Sequence, residues 1–367
     1  MTNPEALGGR PPQEGTQGEL KLPGVGIKKE LTGKEVVEKT SIVLSSYAQK
    51  TVEALYLPVR RGESKQVIAS VPGRPEDEQL AIDALGEPIL TGLIRDNQIP
   101  SFVFGEHNDY NLGNGDPQAY FTIDSFDNTS QYKRGLDTSV YSVVSGYDKE
   151  GHPLGTAIAD IKARKTYLSI NGENFLMDFE TGERKGISKS ERMTIKDPQA
   201  TIATYDGSNE YSTPFQKFFG QMIKDMAPKG IKYGGGGSYI YGLLAVGAID
   251  AYVMFNEPYS EIFPGLPIAK VAGCTIVSVD METGQWEELK FDPERMRANP
   301  EMYKSGTIPL FIAAATPEIR DEVIRYYLEA KKENEVQAEL NKLKDAFIGT
   351  RSLEFDSFRA SQQPQNP

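Results

Sequence analysis

The feature that most narrows what this chain can fold into is a change of texture near residue 200. From Pro100 the sequence runs through short β-rich segments, 101–104, 119–123, 140–144, 154–161 and 166–170, separated by the turn pairs Asn114-Gly115, Asn171-Gly172 and Thr181-Gly182. Runs of β-branched and aromatic residues between turn signals predict an antiparallel sheet. After Ala200 strands alternate with helical stripes. Thr213-Pro214 opens a helix that carries Phe215, Phe218, Phe219, Met222, Ile223 and Met226 on one face. Strands at 230–233, 250–255, 275–280 and 310–314 are interleaved with helical segments at 238–246 and 262–271. A helix capped by Thr316-Pro317 turns Ile319, Val323, Ile324, Tyr327 and Leu328 inward. Such alternation predicts an α/β half following an α+β half.

Upstream, residues 34–57 alternate at helical spacing, with Val36, Val37, Ile42, Val43, Tyr47 and Val52 as core positions and Pro58 as the stop. Residues 77–94 form a second helical candidate through Leu80, Leu85, Ile89, Leu90 and Leu93, interrupted by Gly86 and Pro88. The predicted organisation is a disordered leader over 1–30, an α+β half over 31–198 and an α/β half over 199–330. Residues 331–367 continue as a charged helical extension, with a disordered tail from Ser357.

Composition then limits the chemistry. The chain of 367 residues holds two histidines (His107, His152), one cysteine (Cys274) and 52 Asp+Glu against 40 Lys+Arg, a net charge of −12. One cysteine forms no disulfide within a chain, a Cys/His zinc site cannot be assembled, and a histidine-based triad has almost nothing to draw on. Carboxylates, the ligands of hard cations, are abundant. The Gly- and Pro-rich start has no apolar core of a signal peptide, and no stretch approaches the length of a membrane span. With a lone cysteine, these features predict a cytoplasmic protein. The acidic balance, with no basic run, argues against a nucleic-acid polymer as partner.

The sharpest local feature is Ile123-Asp124-Ser125-Phe126-Asp127-Asn128-Thr129-Ser130, a β run that delivers two aspartates and leads into a helix start. Carboxylates beside such a terminus can hold divalent cations against a phosphate. An isolated DxxD more often caps a turn. Its surroundings shift that balance. Asp124–Thr129 resembles the D-P-[IL]-D-G-[ST] motif of the inositol monophosphatase superfamily, and Gly105-Glu106-His107 after a β run resembles its G-E-E. Asp83-Ala-Leu-Gly-Glu87 resembles its helical D-x-x-x-E. Gly237-Ser238 and Val246–Tyr252 are similar to its G-[ST]-A and A-x-G-x-x-D-A-Y stretches. Ser260–Gly265 followed by Val271-Ala272-Gly273 is similar to its W-D-x-A-A-G and E-A-G-G signatures. The elements occur in the family's order over about residues 35–330.

The resemblance implies a layered αβαβα sandwich and a magnesium-dependent phosphomonoesterase with two or three Mg2+ ions. It implies Glu106, Asp124 and the Phe126 carbonyl as ligands of one ion, and Asp124, Asp127 and Glu261 as ligands of a second. Thr129 and Glu106 would orient the attacking water, and Asp83 would be an outer catalytic carboxylate. Backbone N–H groups of Asn128 and Thr129 would cradle phosphate, and Gly237 and Ser238 would line the substrate side. The expected partner is a small phosphorylated sugar, polyol or nucleotide, in a homodimer. The alternative is a degenerate member that binds a phosphorylated ligand, or serves in an assembly, without catalysis. Its motivation is Asn128 in place of glycine, Glu261 in place of aspartate, and Pro267, expected to kink its helix. Ser125 replaces the motif proline. The family's sugar-contacting acid aligns with Met254, which weakens an inositol phosphate as the substrate. The run 234–237 lacks the Gly-Lys-Ser/Thr ending of a phosphate loop. His152 reads as a hairpin-turn residue and Cys274 as an inert buried thiol.

Overall fold

The computed structural model describes residues 30–71, 74–113, 115–136, 139–207, 209–226 and 228–361, so the predicted leader up to residue 29 and Asn114 lie outside the described residues. The architecture is mixed α/β. It divides into two compact units, the first comprising residues up to Lys185 with Tyr259–Pro267 and Phe291–Gly306, and the second Gly186–Pro258, Ile268–Lys290 and the chain from Thr307. These units do not follow the chain as 31–198 and 199–330, because two segments from the later half are built into the first unit.

The first unit opens with α1 (Gly33–Arg61), β1 (Val67–Val71), β2 (Arg74–Leu80), a 3₁₀ turn at Asp83–Leu85 and α2 (Gly86–Asp96). It continues with β3 (Ser101–Gly105), β4 (Asp109–Leu112), β5 (Ala119–Asp127), α3 (Thr129–Lys133), β6 (Tyr141–Tyr147), β7 (Pro153–Asp160), β8 (Lys165–Ile170), β9 (Glu173–Asp178) and β10 (Arg184–Gly186). One eight-stranded sheet has the order β10-β9-β8-β7-β6-β5-β3-β4, with β1 and β2 as a separate ribbon. All of its described pairings from β3 to β9 are antiparallel except β3 with β5, which are parallel. Side chains alternate across a strand. Val103, Phe121, Ile123, Val144 and Ala157 therefore pack against Val43, Leu44, Tyr47 and Leu90 of α1 and α2.

The helical predictions need three corrections here. Helix α1 runs through Pro58 to Arg61, since that proline removes a single N–H, and ends at Gly62 in the left-handed region (φ 66°). Ile42 is 53% exposed, because the buried stripe Val36, Thr40, Val43, Tyr47 and Leu55 occupies the other side of the helix. The 77–94 segment is not one helix: β2 extends to Leu80, and α2 begins only at Gly86, placing Pro88 in a first turn where its missing N–H is not needed.

The second unit contributes β11 (Thr201–Ala203), α4 (Asn209–Asp225), β12 (Ile231–Tyr233), α5 (Ile240–Ala245) and β13 (Ala251–Pro258). The chain then passes through α6 (Tyr259–Ile262) and α7 (Leu266–Val271) to β14 (Thr275–Val279) and β15 (Trp286–Glu288). It ends with α8 (Pro293–Ala298), α9 (Pro300–Ser305), β16 (Thr307–Ala314) and α10 (Pro317–Ser361). The six-stranded sheet of this unit has the order β12-β11-β13-β16-β14-β15. Phe215, Phe219 and Met222 of α4 and Ile319, Val323 and Tyr327 of α10 share one core with Val253, Phe255 and Ile312.

Helix α4 starts before Thr213, with Pro214 inside it. The 262–271 segment divides into α6 and α7 around Pro264, so Pro267 sits at the second position of a new helix and produces no kink. Helix α10 continues beyond Ser357 to Ser361, where a disordered tail was expected, and residues 362–367 lie outside the described residues. Helices α8 and α9 have no counterpart in the sequence reading. Among the described residues no helix is long and apolar enough to cross a membrane.

Thr32 caps α1 through a reciprocal box with Glu35, Thr32 Oγ1 accepting from the Glu35 N–H at 3.2 Å and Glu35 Oε2 accepting from the Thr32 N–H at 2.8 Å. Thr32→Ala removes one side of that box and should lower unfolding stability by about 1 kcal/mol, read from urea midpoints, whereas Thr32→Ser should stay near wild type.

Candidate metal centre

Strand β5 is buried over its whole length, between β3 and β6. Two residues three apart on a regular strand point to opposite faces. The register with β6 pairs Asp124 with Val143 but Asp127 with Tyr141, so β5 spends three residues where β6 spends two. This bulge resets the alternation and turns both aspartates to one side. Within it the Phe126 N–H donates to Asp124 Oδ1 at 3.2 Å. Asn128 then leaves the strand in the left-handed conformation (φ 74°, ψ 28°), the backbone the motif requires of its glycine, and Asn128 Nδ2 donates to the Ser139 carbonyl at 3.0 Å. Asparagine tolerates this region better than most side chains. Thr129 Oγ1 donates to the Phe126 carbonyl at 2.6 Å, which leaves that oxygen a second lone pair. Helix α3 is a single short turn of five residues.

Glu261 reaches the aspartates from α6. The segment that carries it is pinned to β6 at two backbone oxygens: Tyr147 Oη donates to the Phe263 carbonyl and Ser145 Oγ to the Pro264 carbonyl, each at 2.5 Å. The Tyr259 N–H donates to the Gly306 carbonyl at 3.1 Å, and the Phe263 ring lies 4.8 Å from that of Phe291 and 5.5 Å from that of Tyr259. With the backbone held there, one carboxylate oxygen each of Asp124, Asp127 and Glu261 lies within 4.8 Å of the others. Three anionic oxygens at such separation form a donor set suited to a hard divalent cation, and the residues present fit Mg2+.

Glu106 follows the end of β3 and stands outside this tight trio, with Oε2 at 3.8 Å from His107 Nε2. The chain needs glycine before it, since a Cβ on Gly105 would lie 2.4 Å from the Asn108 carbonyl oxygen and 2.6 Å from Glu87 Oε1. Asp83, 4% exposed, accepts from the Leu80 N–H through Oδ2 at 2.6 Å. Burial pushes its carboxyl up to about 8; the Glu106 charge adds to this and the Leu80 bond opposes it. Glu87 is raised by burial too, against hydrogen bonds that its Oε2 accepts from the Tyr110 hydroxyl and, at 3.2 Å, from Asn108 Nδ2.

Sequence reasoning assigned no role to Glu87 beyond its motif match and passed over Asp109, Tyr110 and Lys304. Asp109 Oδ2 pairs with Lys304 Nζ at 3.1 Å, both side chains nearly buried. Burial raises the Asp109 carboxyl and Lys304 opposes the rise. Nothing in the sequence links α9 to residue 109. Gly237 and Ser238 belong to the second unit, where Gly237 has φ 109° and Ser238 is buried. Met254 is buried in β13, its sulfur accepting from the Tyr205 N–H at 3.2 Å.

His152 lies at the turn between β6 and β7, paired with Asp148 at 3.1 Å. That aspartate also accepts from the Glu150 and His152 N–H groups, so the close Asp148–Glu150–His152 set has a turn-forming role. The Cys274 thiol is pushed up to about 12 by burial, consistent with an inert side chain.

No protein-family model matches this chain, and no curated protein matches it. Solved structures do. The extragenic suppressor protein suhB of Bartonella henselae is 17% identical, with a TM-score of 0.58, covering 78% of this chain and 97% of its own. An inositol monophosphatase from Thermotoga maritima (18% identity, TM-score 0.55) covers 81% of this chain and 96% of its own. One from Anabaena (15%, TM-score 0.55) has the same coverage. The chain has the fold of these structures.

The Asp83 shift has a defined sign. A carboxyl whose folded pKa is raised contributes no penalty at acid pH and opposes folding progressively as pH climbs from the ordinary carboxylate value to about 8. Metal-free protein should therefore lose unfolding stability between pH about 4 and about 8. Asp83→Asn keeps an acceptor for Leu80 and should flatten that part of the curve, measured by denaturant unfolding across the range.

Proposed function

We propose that this protein is a divalent-cation-dependent phosphomonoesterase of the inositol monophosphatase type, acting on a small phosphorylated sugar, polyol or nucleotide. The observation that carries the reading is the convergence of Asp124, Asp127 and Glu261 within 4.8 Å, from a bulged strand end and a separately pinned helix. Its likeness in fold to solved inositol monophosphatases supports it.

Asp124, Asp127 and Glu261 would hold one Mg2+, and Glu106, Asp124 and the Phe126 carbonyl another. When bound, such ions supply countercharge for a phosphate and make a water more acidic. The chain's own groups do the orienting. Thr129 commits its hydroxyl hydrogen to the Phe126 carbonyl, so its oxygen lone pairs remain as acceptors for a hydrogen of the attacking water. The Glu106 carboxylate would take the water's other hydrogen as a proton while that oxygen bonds to phosphorus and the ester P–O bond opposite breaks, the departing alkoxide taking its proton from solvent. Backbone N–H groups of Asn128 and Thr129 would bind the phosphate oxygens.

Purified protein should release phosphate from at least one small phosphoester only with Mg2+ present, and Asp124→Asn should reduce turnover by at least about a hundredfold. Unchanged turnover in that variant sinks the assignment. The competing reading, a non-catalytic phosphate binder, draws on Glu106 standing outside the tight trio. It predicts one weak ion or none in a calorimetric Mg2+ titration, with no turnover.

A further inference from the structure

We propose that Glu87 is a positioning residue for Glu106: its carboxyl ties the β3–β4 hairpin, whose tip carries Glu106, to the first turn of α2. This deepens the phosphatase reading and rests on it. Glu106 and His107 lie in the short connection between β3 and β4, which is closed by the Gly105 N–H donating to the Asn108 carbonyl at 3.0 Å. Strand β4 is an edge of the eight-stranded sheet and pairs with β3, Phe104 opposite Asp109 and Val103 opposite Tyr110. Backbone pairing holds an edge strand on one side only. The tip of this hairpin and its outer side therefore depend on side chains for their place.

Glu87 supplies that hold from the second residue of α2, where its side chain is buried. Its Oε2 accepts from the Tyr110 hydroxyl on β4 and, at 3.2 Å, from Asn108 Nδ2 at the tip. Its Oε1 lies against the Gly105 backbone, so close that a Cβ there would sit 2.6 Å from it. A single carboxyl thus touches the residue before Glu106 and, after it, both Asn108 and Tyr110. Lys304 of α9 adds a further tie at the residue between them, its ion pair with Asp109 at 3.1 Å. With residues 105, 108, 109 and 110 fixed, the backbone of Glu106 is confined to one place relative to β3. Partners that orient a metal ligand in this way typically change ion affinity by about 10–100-fold.

The test is a calorimetric Mg2+ titration of the full-length protein and of its variants Tyr110→Phe, Glu87→Ala and Glu87→Gln, each first checked for folding by thermal unfolding without metal. Wild type should show two binding events. Tyr110→Phe keeps the ring and removes one hydrogen bond; it should weaken one event by about tenfold and leave the other, that of Asp124, Asp127 and Glu261, as in wild type. Glu87→Ala removes both bonds and should weaken the same event by up to about a hundredfold. Glu87→Gln retains an oxygen that accepts from both donors and should restore it. If Glu87→Ala does not fold, Tyr110→Phe compared with Glu87→Gln decides. Tyr110→Phe and Glu87→Ala that titrate as wild type overturn the role of Glu87 and leave the metal centre standing. Both events weakening together, or Glu87→Gln weakening as much as Tyr110→Phe, overturns it as well, the former by making Glu87 a packing group of the whole unit. A wild-type titration without two events overturns the two-ion centre, and the role of Glu87 with it.

Discussion

Three carboxylate oxygens held within 4.8 Å of one another are the constraint on which much of the first unit turns. Two like charges about 4 Å apart repel by about 4 kcal/mol in a medium of effective dielectric about 20, so packing alone does not favour such a cluster. The architecture opposes that repulsion by taking away alternatives. The bulge in β5 leaves Asp124 and Asp127 no strand geometry that separates them, and two hydrogen bonds from β6 leave the Glu261 segment no easy retreat. A divalent cation bound there would convert the repulsion into attraction and so couple ion binding to the stability of this region. Asp83 and Glu87 represent the other response to burial near charge: their carboxyls are pushed toward the protonated form.

Around the cluster, the face of the sheet away from α1 and α2 is aromatic. Phe104 and Tyr147 from the strands meet Phe263, Phe291 and Tyr303 from the two late segments, with ring centroids between 4.4 and 6.5 Å apart. Such pairs add to the burial of large apolar surface. They give the physical reason why 259–267 and 291–306 leave the second half of the chain and join the first unit. One of these rings also carries a polar tie, the Tyr147 hydroxyl that donates to the Phe263 carbonyl.

Some of this was legible from residue types and spacing. The β-rich texture after Pro100, the stripe Phe215–Met226 and the Thr316-Pro317 cap each encode a local preference, and each element is present in the fold. Asn128 in a left-handed turn was legible for the same reason, because few side chains accept that backbone. Pro58 and Pro88 were read as breaks, yet one lost N–H near a helix end costs little once an apolar face is packed. Ile42 was counted inward by its apolarity, although its angular position on α1 faces outward.

By itself, then, the sequence determined the chemistry available, carboxylates without histidine or cysteine, and the order in which candidate ligands occur. It also determined most of the elements that carry them, because both are local properties. Tertiary structure alone decided how those ligands meet. A strand period of two would have sent Asp124 and Asp127 apart, and a bulge, defined only by the partner strand β6, brings them together. The reach of Glu261 depends on hydrogen bonds from residues more than one hundred positions away. Lys304 and Tyr303 enter the neighbourhood of Asp109 and Glu106 through packing between segments remote in sequence, an arrangement that no spacing within the chain encodes.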